Sequence, residues 1–143
     1  MSIFNSLGSN YTFSSALGIL FSIGGERERD ELKRYLENRY DGKAVLTYKG
    51  REALQLALAP LPKNTVAING FTCLAVYEAI LSSDQKIHYL DISGDSLDFS
   101  IQTLRQAIDA NPDIKVVVVQ NTLGIPCDIE SISALCKEKN IIS

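Results

Sequence analysis

Hydrophobic and polar positions repeat with a helical period over residues 26–40. Leu32, Tyr35, Leu36 and Tyr40 are spaced i, i+3, i+4 and i+8, and charged side chains occupy all the other positions except Asn38. This spacing places the apolar side chains on one face of a helix. The pattern therefore predicts a helix over Glu26–Tyr40, which the Asp-Gly pair that follows would end.

Beyond this helix, short apolar runs alternate with amphipathic segments. The predicted strands are Ala44–Tyr48, Thr65–Asn69, Lys86–Leu90, Lys115–Val119 and a last one that begins at Asn140. The segments between them predict helices at 51–59, 73–81, 101–110 and 129–139. Thr72, Ser100 and Asp128 precede three of these helices and are predicted N-caps.

Regular alternation of strands and helices predicts an α/β fold, with a mostly parallel sheet covered by helices on both faces in three layers. Residues 1–25 differ from the rest, since Met1–Ser22 contains no charged side chain. We interpret residues 1–25 as an N-terminal arm with one short apolar helix, Phe13–Phe21, and residues 26–143 as the main domain. In such sheets, ligands bind beyond the carboxyl ends of the strands.

Composition excludes several classes of function. The 143 residues contain 14 basic and 17 acidic side chains, a net charge of −3, which predicts no binding to nucleic acid or to an anionic membrane surface. Three widely spaced cysteines and one histidine predict no metal site, and they favour a reducing, cytoplasmic location. The longest early apolar stretch, Ala16–Ile23, is too short to span a bilayer.

Three strand-to-helix loops carry candidate binding chemistry. Gly50 and Arg51 open a helix and could bind an anion, although the local residues alone favour a turn glycine flanked by solvated bases. Cys73 follows Phe71, which either packs in the core or forms a wall for a planar ligand; Cys73 itself is more typical of a small buried residue than of a catalytic thiol. Asn121 could donate to a ligand oxygen or simply shape a turn.

The acidic side chains of the loop after the third predicted strand could suggest a cation site. Asp91, Asp95 and Asp98 are better explained as loop and helix-capping residues, because their spacing does not match a calcium-binding loop. His88 lies within a predicted strand, where a satisfied core or edge residue is the simpler interpretation.

The order and spacing of several segments resemble one known family. The segments are Gly50–Leu58, Gly70-Phe71-Thr72 with Ala79-Ile80, Tyr89–Ile92 with Asp98 downstream, and Val118–Gly124 followed by Pro126 and Asp128-Ile129. Together they resemble the DegT/DnrJ/EryC1/StrS sugar aminotransferases from about Glu26 to Ser143. The resemblance implies the fold of aspartate aminotransferase, a fold type I enzyme dependent on pyridoxal phosphate (PLP).

The resemblance also implies residue roles. Gly50 and Arg51 correspond to the cup that holds the cofactor phosphate, and Asn121 lies at a position near the cofactor. Cys73 stands where the family usually carries an aromatic ring that stacks on the pyridine. Phe71 could take the place of this ring, or its side chain could point into the core.

Two family residues have no counterpart within the 143 residues. They are the acid that pairs with the pyridine nitrogen and the lysine that bonds the cofactor. The resemblance therefore implies the N-terminal part of a PLP-dependent aminotransferase acting on a nucleotide-linked keto or amino sugar. This part would have no catalytic residue of its own, would be inactive alone and would not bind PLP covalently. The alternative is a degenerate, non-catalytic aminotransferase-like protein that binds or assembles with a partner.

The resemblance also bears on assembly. In the family fold, the strand predicted here at Ala44–Tyr48 lies beside strands from later sequence. We expect this strand either to close inward onto the sheet or to leave an edge that a second chain covers. A homodimer is favoured, because active sites in the family are built at a dimer interface.

Overall fold

The computed structural model describes residues 12–21, 25–94 and 96–143. The chain divides into two compact units, Met1–Leu46 and Thr47–Ser143, and each is described by itself. Most of the predicted arm and Asp95 lie outside the described residues. The domain boundary expected near residue 25 stays a prediction.

Two helices form the described part of the first unit. Helix α1 spans Phe13–Leu20 and helix α2 spans Glu26–Tyr40, in agreement with the helical spacing. Helix α2 ends where Asp41 adopts the left-handed conformation and its backbone N–H donates to the carbonyl of Glu37. No residue of α2 is buried, so its apolar positions lie on an exposed face.

The strand predicted at Ala44–Tyr48 is wrong for the described residues, because this segment forms no strand. An extended segment becomes a strand only when a neighbouring backbone completes its hydrogen bonds. Here the backbone N–H of Ala44 instead donates to the Glu37 carboxylate at 3.2 Å, and the Thr47 hydroxyl donates to the Lys49 carbonyl at 2.9 Å. The segment therefore forms no strand pairing among the described residues.

The second unit contains a parallel sheet of three strands. They are β1 (Thr65–Asn69), β2 (Lys86–Leu90) and β3 (Ile114–Val117), in the spatial order β2-β1-β3. Every residue of β1 is buried, as expected of a central strand with helices on both faces. The predicted last strand begins here as a single parallel bridge between Ile142 and Val116.

Four helices cover the two faces of this sheet. Helices α3 (Gly50–Leu58) and α4 (Leu74–Ser82) pack on the face that carries Val66 and Ile68. Helices α5 (Ile101–Ala110) and α6 (Ile129–Glu138) pack on the opposite face, around Ala67. The alternation of side chains along β1 thus separates two apolar cores, and the predicted three-layer α/β fold is confirmed.

Local capping explains where the helices begin. The Ser100 side chain accepts from the backbone N–H of Thr103 at 3.0 Å, and the Asp128 carboxylate accepts from that of Ser131 at 3.2 Å, so both predicted caps are confirmed. The predicted cap at Thr72 is wrong. The N-cap of α4 is Cys73, and the hydroxyl of Thr72 makes a longer-range contact instead.

None of the helices in the described ranges combines the length and the apolar character needed to cross a bilayer.

Candidate functional site

Two clefts lie near the start of α4, beyond the carboxyl end of β1. The first is about 440 Å³ and lies between the starts of α3 and α4. The second is about 370 Å³ and lies between the loop after β1 and the loop after β3. Cys73 lines the second cleft, and Ala75, two residues further on, lines the first. Both clefts therefore border the first turn of α4.

The first cleft is built around the open start of α3. Its lining residues are Lys49, Gly50, Arg51, Leu54, Ala75 and Val76. Lys49, the N-cap residue, makes no side-chain capping bond, and among the described residues the backbone N–H groups of Gly50 and Arg51 form no hydrogen bond. These unpaired donors and the helix dipole make the start of α3 attractive to an anion.

Gly50 leaves room beside these donors. A Cβ atom built on Gly50 would meet no atom within 4 Å, so the space next to the backbone is open. This opening allows a phosphate oxygen to reach the backbone N–H groups directly. The cleft therefore fits a phosphate group.

The guanidinium of Arg51 is already engaged. Its Nη1 atom pairs with Oε2 of Glu78, which lies on the second turn of α4. The pair connects the two helices whose starts line the first cleft. The side chains of Arg51 and Glu78 are 48% and 40% exposed, although Oε2 of Glu78 itself is buried.

The second cleft is lined by two loop segments, Phe71–Cys73 and Gln120–Leu123. The side chain of Phe71 is 51% exposed, so it forms a wall of this cleft and is not part of the core of the second unit. Cys73 is also exposed, which contradicts the expectation of a small buried residue. Position 73 starts a helix at the edge of the cleft, and no core packs over it.

A hydrogen bond joins the two walls of the second cleft. The Thr72 hydroxyl donates to Oε1 of Gln120 at 2.6 Å, across 48 residues of sequence. Within the second wall, Oδ1 of Asn121 accepts from the backbone N–H of Cys127 at 3.2 Å, which fixes the turn after β3. Asn121 is exposed at the cleft, so turn-shaping and contact with a ligand are compatible roles.

Leu123 has an unusual backbone conformation in the second cleft. Its φ is 55°, in the left-handed region, and its side chain is 82% exposed. A leucine in this conformation is strained, and no burial of its side chain within the described chain offsets the strain. Strained residues of this kind cluster at ligand sites.

A buried polar pair supports the loop that carries Phe71. Asn69, the last residue of β1, is fully buried, and its Nδ2 atom donates to the Leu97 carbonyl at 2.7 Å and to Oδ1 of Asp98 at 3.4 Å. Its Oδ1 atom accepts from the backbone N–H of Phe71 at 2.8 Å. The side chain of Asn69 thus connects the loop after β2 to the wall of the second cleft.

Burial controls the ionisation of two groups near this pair. Desolvation raises the pKa of the Asp98 carboxyl, and the hydrogen bond from the backbone N–H of Phe99 only partly opposes this effect. Desolvation also raises the pKa of the Cys127 thiol, and the negative charge of Asp98 adds to the increase. Cys127 is therefore a poor nucleophile, in keeping with a structural role.

The structure groups the four candidate cofactor residues in two pairs. Gly50 and Arg51 line the first cleft, and Cys73 and Asn121 line the second. Their roles toward a cofactor stay predictions. In the described part of the chain, no cluster of histidine, cysteine and acidic side chains could hold a metal ion.

Sequence reasoning missed the polar contacts that organise both clefts. Gln120, Glu78 and Asn69 each act through a partner that is distant in sequence or on another element. The one local sign of such a contact was Asn69, a polar side chain at the end of an otherwise apolar strand. The partners themselves depend on the folded chain.

Solved structures define the class of protein to which this arrangement belongs. A sugar aminotransferase of Streptococcus pneumoniae in its PLP form is 24% identical, with a TM-score of 0.69; the match covers 86% of this chain and 32% of that one. The GDP-4-keto-6-deoxy-D-mannose-3-dehydratase of Escherichia coli with bound hydrated PLP is 18% identical, with a TM-score of 0.71, and 94% and 38% of the two chains are covered. The fold is that of the PLP-dependent transferases.

The chain belongs to the DegT/DnrJ/EryC1/StrS aminotransferase family, whose model matches residues 25–142. A curated relative, the GDP-perosamine synthase of Vibrio cholerae, is 27% identical over 119 residues, which are 81% of this chain and 31% of that protein. The chain thus spans about a third of the length of the relatives it matches. PLP is the cofactor of the family, as the bound forms of its solved members indicate.

Proposed function

We propose that this chain supplies the phosphate end and one wall of the cofactor site in a PLP-dependent enzyme that transfers an amino group to a nucleotide-linked keto sugar. Family membership supports the reaction type. The names of two relatives, a GDP-perosamine synthase and a GDP-4-keto-6-deoxy-D-mannose-3-dehydratase, support a sugar nucleotide as the substrate class.

The open start of α3 is the observation that carries this proposal. Two adjacent backbone N–H groups, at Gly50 and Arg51, lack partners among the described residues and border a cleft with free space. A phosphate monoester is close to dianionic at neutral pH and matches both the donors and the positive end of the helix dipole.

The second cleft suits the rest of the cofactor. Bound PLP supplies the electron sink and carries the amino group. Phe71 offers an apolar face for a planar ring, at a site where Cys73 is too small to stack, and both line the same cleft. Asn121 would donate from its amide to an oxygen of the ring, while its own oxygen holds the turn through Cys127.

These 143 residues alone are not expected to catalyse transamination. Lys63, Lys86 and Lys115 lie together at the amino ends of the strands, away from both clefts. Lys139 pairs with Asp109 at 2.7 Å on the α5–α6 side of the sheet. None of the eight lysines in the chain corresponds, by the resemblance, to the lysine that bonds the cofactor. The proposed assembly is a homodimer.

Binding of PLP to the chain tests the phosphate site. Gly50→Val places a branched side chain in the open space of the first cleft, so the affinity for PLP should fall at least about tenfold, which corresponds to about 1.4 kcal/mol. Gly94→Val is the matched control, because a Cβ at Gly94 also meets nothing within 4 Å and Gly94 lines neither cleft. Equal affinities in folded wild-type and Gly50→Val chains would remove Gly50 from the site.

Borohydride reduction after incubation with PLP tests the absence of covalent binding. Peptide mapping should find weak labelling scattered over several lysines, since any exposed amine reacts slowly with an aldehyde. A stoichiometric label on a single lysine would overturn this part of the proposal.

A further inference from the structure

The ion pair between Arg51 and Glu78 occupies the one guanidinium at the first cleft. Arg51 lines this cleft beside the unpaired backbone N–H groups, whereas Glu78 approaches from α4 and is absent from the lining. Two other charged side chains stand near the start of α3, namely Lys49 and Glu52, and neither forms an ion pair within the described chain. Arg51 is thus the cation at this cleft whose charge is already paired with a carboxylate.

We propose that Glu78 sets the affinity of the first cleft for a phosphate monoester by holding Arg51, and that Arg51 exchanges Glu78 for the phosphate on binding. The inference rests on the proposed function, because it takes the start of α3 as the phosphate site. It makes Glu78 a positioning residue that acts through Arg51 without touching the ligand.

The exposure of the pair makes this exchange feasible. Both side chains are more than a third exposed, and exposed pairs change an equilibrium constant by no more than about fivefold. A phosphate offers up to two negative charges and a planar pair of acceptor oxygens, which arginine binds more strongly than a single carboxylate oxygen. We therefore expect the free energy gained from the contact between Arg51 and phosphate to exceed the free energy lost when Glu78 is released.

Inorganic phosphate is a suitable probe, with the backbone amide signals of Gly50 and Arg51 in ¹H–¹⁵N spectra as the readout. In wild-type chain the two signals should shift with added phosphate. Glu78→Gln frees Arg51 and should tighten binding at least about threefold, to a degree that falls as ionic strength rises. Glu78→Asp keeps the charge but shortens the reach, and should give a smaller change in the same direction.

Glu138→Gln is the matched control. Glu138 also pairs with an arginine, Arg105, at 3.0 and 3.2 Å, but on the α5–α6 side of the sheet. The substitution changes net charge by the same amount and should leave phosphate binding at α3 unchanged. If Glu138→Gln and Glu78→Gln tightened phosphate binding equally, the change in net charge alone would explain the effect and the proposal would be overturned.

A double-mutant cycle with Arg51→Gln tests whether Glu78 affects phosphate binding through Arg51. The gain from Glu78→Gln should disappear in the Arg51→Gln background; a gain that persists there overturns the inference. If wild type binds phosphate at Gly50 and Glu78→Gln does not improve binding, the inference fails while the proposed function stands. If no variant shifts the Gly50 signal, the phosphate site and the inference both fail.

Discussion

Asn69→Asp is the substitution that best tests the buried polar pair. The change keeps the shape of the side chain but replaces the Nδ2 donor with an oxygen. That oxygen would face the Leu97 carbonyl, now 2.7 Å from Nδ2, and the Asp98 carboxylate. The bond from the Phe71 backbone N–H would survive, because Oδ1 is unchanged.

These contacts determine how much stability Asn69→Asp should lose. An unsatisfied buried carbonyl costs about 1 to 3 kcal/mol. A new charge buried beside Asp98 with no cation to pair it raises the total to about 3 to 5 kcal/mol. We expect a loss of this size in the free energy of unfolding at pH 7.5.

The loss should depend on pH. In the variant, the introduced carboxyl group can donate its O–H to the Leu97 carbonyl when it is protonated, so the folded state favours the neutral acid and holds the pKa of this group above the unfolded value of about 3.9. Stability is then greatest at low pH and falls as pH rises toward the folded pKa. The cost of the substitution should be at least about 1.5 kcal/mol smaller at pH 4.5 than at pH 7.5.

Urea unfolding followed by far-UV circular dichroism at the two pH values measures both quantities. Asn121→Asp is the matched control, because Asn121 also accepts a backbone N–H through Oδ1 but is exposed and donates to no protein group in the described chain. The loss in the free energy of unfolding caused by Asn121→Asp should be small and independent of pH. A cost for Asn69→Asp that is equal at both pH values would refute the reasoning.

Three further substitutions test other features. Ser100→Ala removes the N-cap of α5 and should lower the free energy of unfolding by about 1 kcal/mol in urea titrations; no loss would show that the contact to Thr103 is dispensable. Leu123→Asn should raise the midpoint of thermal unfolding, since asparagine tolerates the left-handed conformation, and a lower midpoint would deny the strain. Because desolvation raises the pKa of Asp98, the stability that this residue contributes should fall from about pH 4 upward through its folded pKa. The stability of the wild type relative to Asp98→Asn should therefore decline over this range; parallel pH profiles would contradict it.

Periodicity and composition predicted several elements at their observed bounds. Helix α2, strands β1 and β2, and helix α5 occur at the predicted residues. The segment Ala44–Tyr48 has the composition of a strand but forms no strand pairing in the described chain, and composition alone cannot supply a neighbouring strand. Pairing decides whether such a run becomes a strand.

The candidate site was predicted at the level of its loops. Cys73 and Asn121 line the same cleft because they follow β1 and β3, neighbouring parallel strands whose carboxyl-end loops lie together. Thr72 shows the limit of local reasoning. A threonine before a helix is a good cap, but the side chain of Gln120 offers its hydroxyl a stronger alternative that becomes available only after β3 pairs with β1.

The position of β1 between its two neighbours has a consequence for the order of folding. Thr65 pairs with Lys86 on one side and with Ile114 on the other, so the β1–α4–β2 unit closes a much shorter loop than the pairing with β3 does. Shorter loops lose less chain entropy on closure and form sooner. Weakening the α3–α4 face at Ile80 should therefore slow folding in a chevron analysis. Weakening the α5–α6 face at Leu135 should mainly speed unfolding.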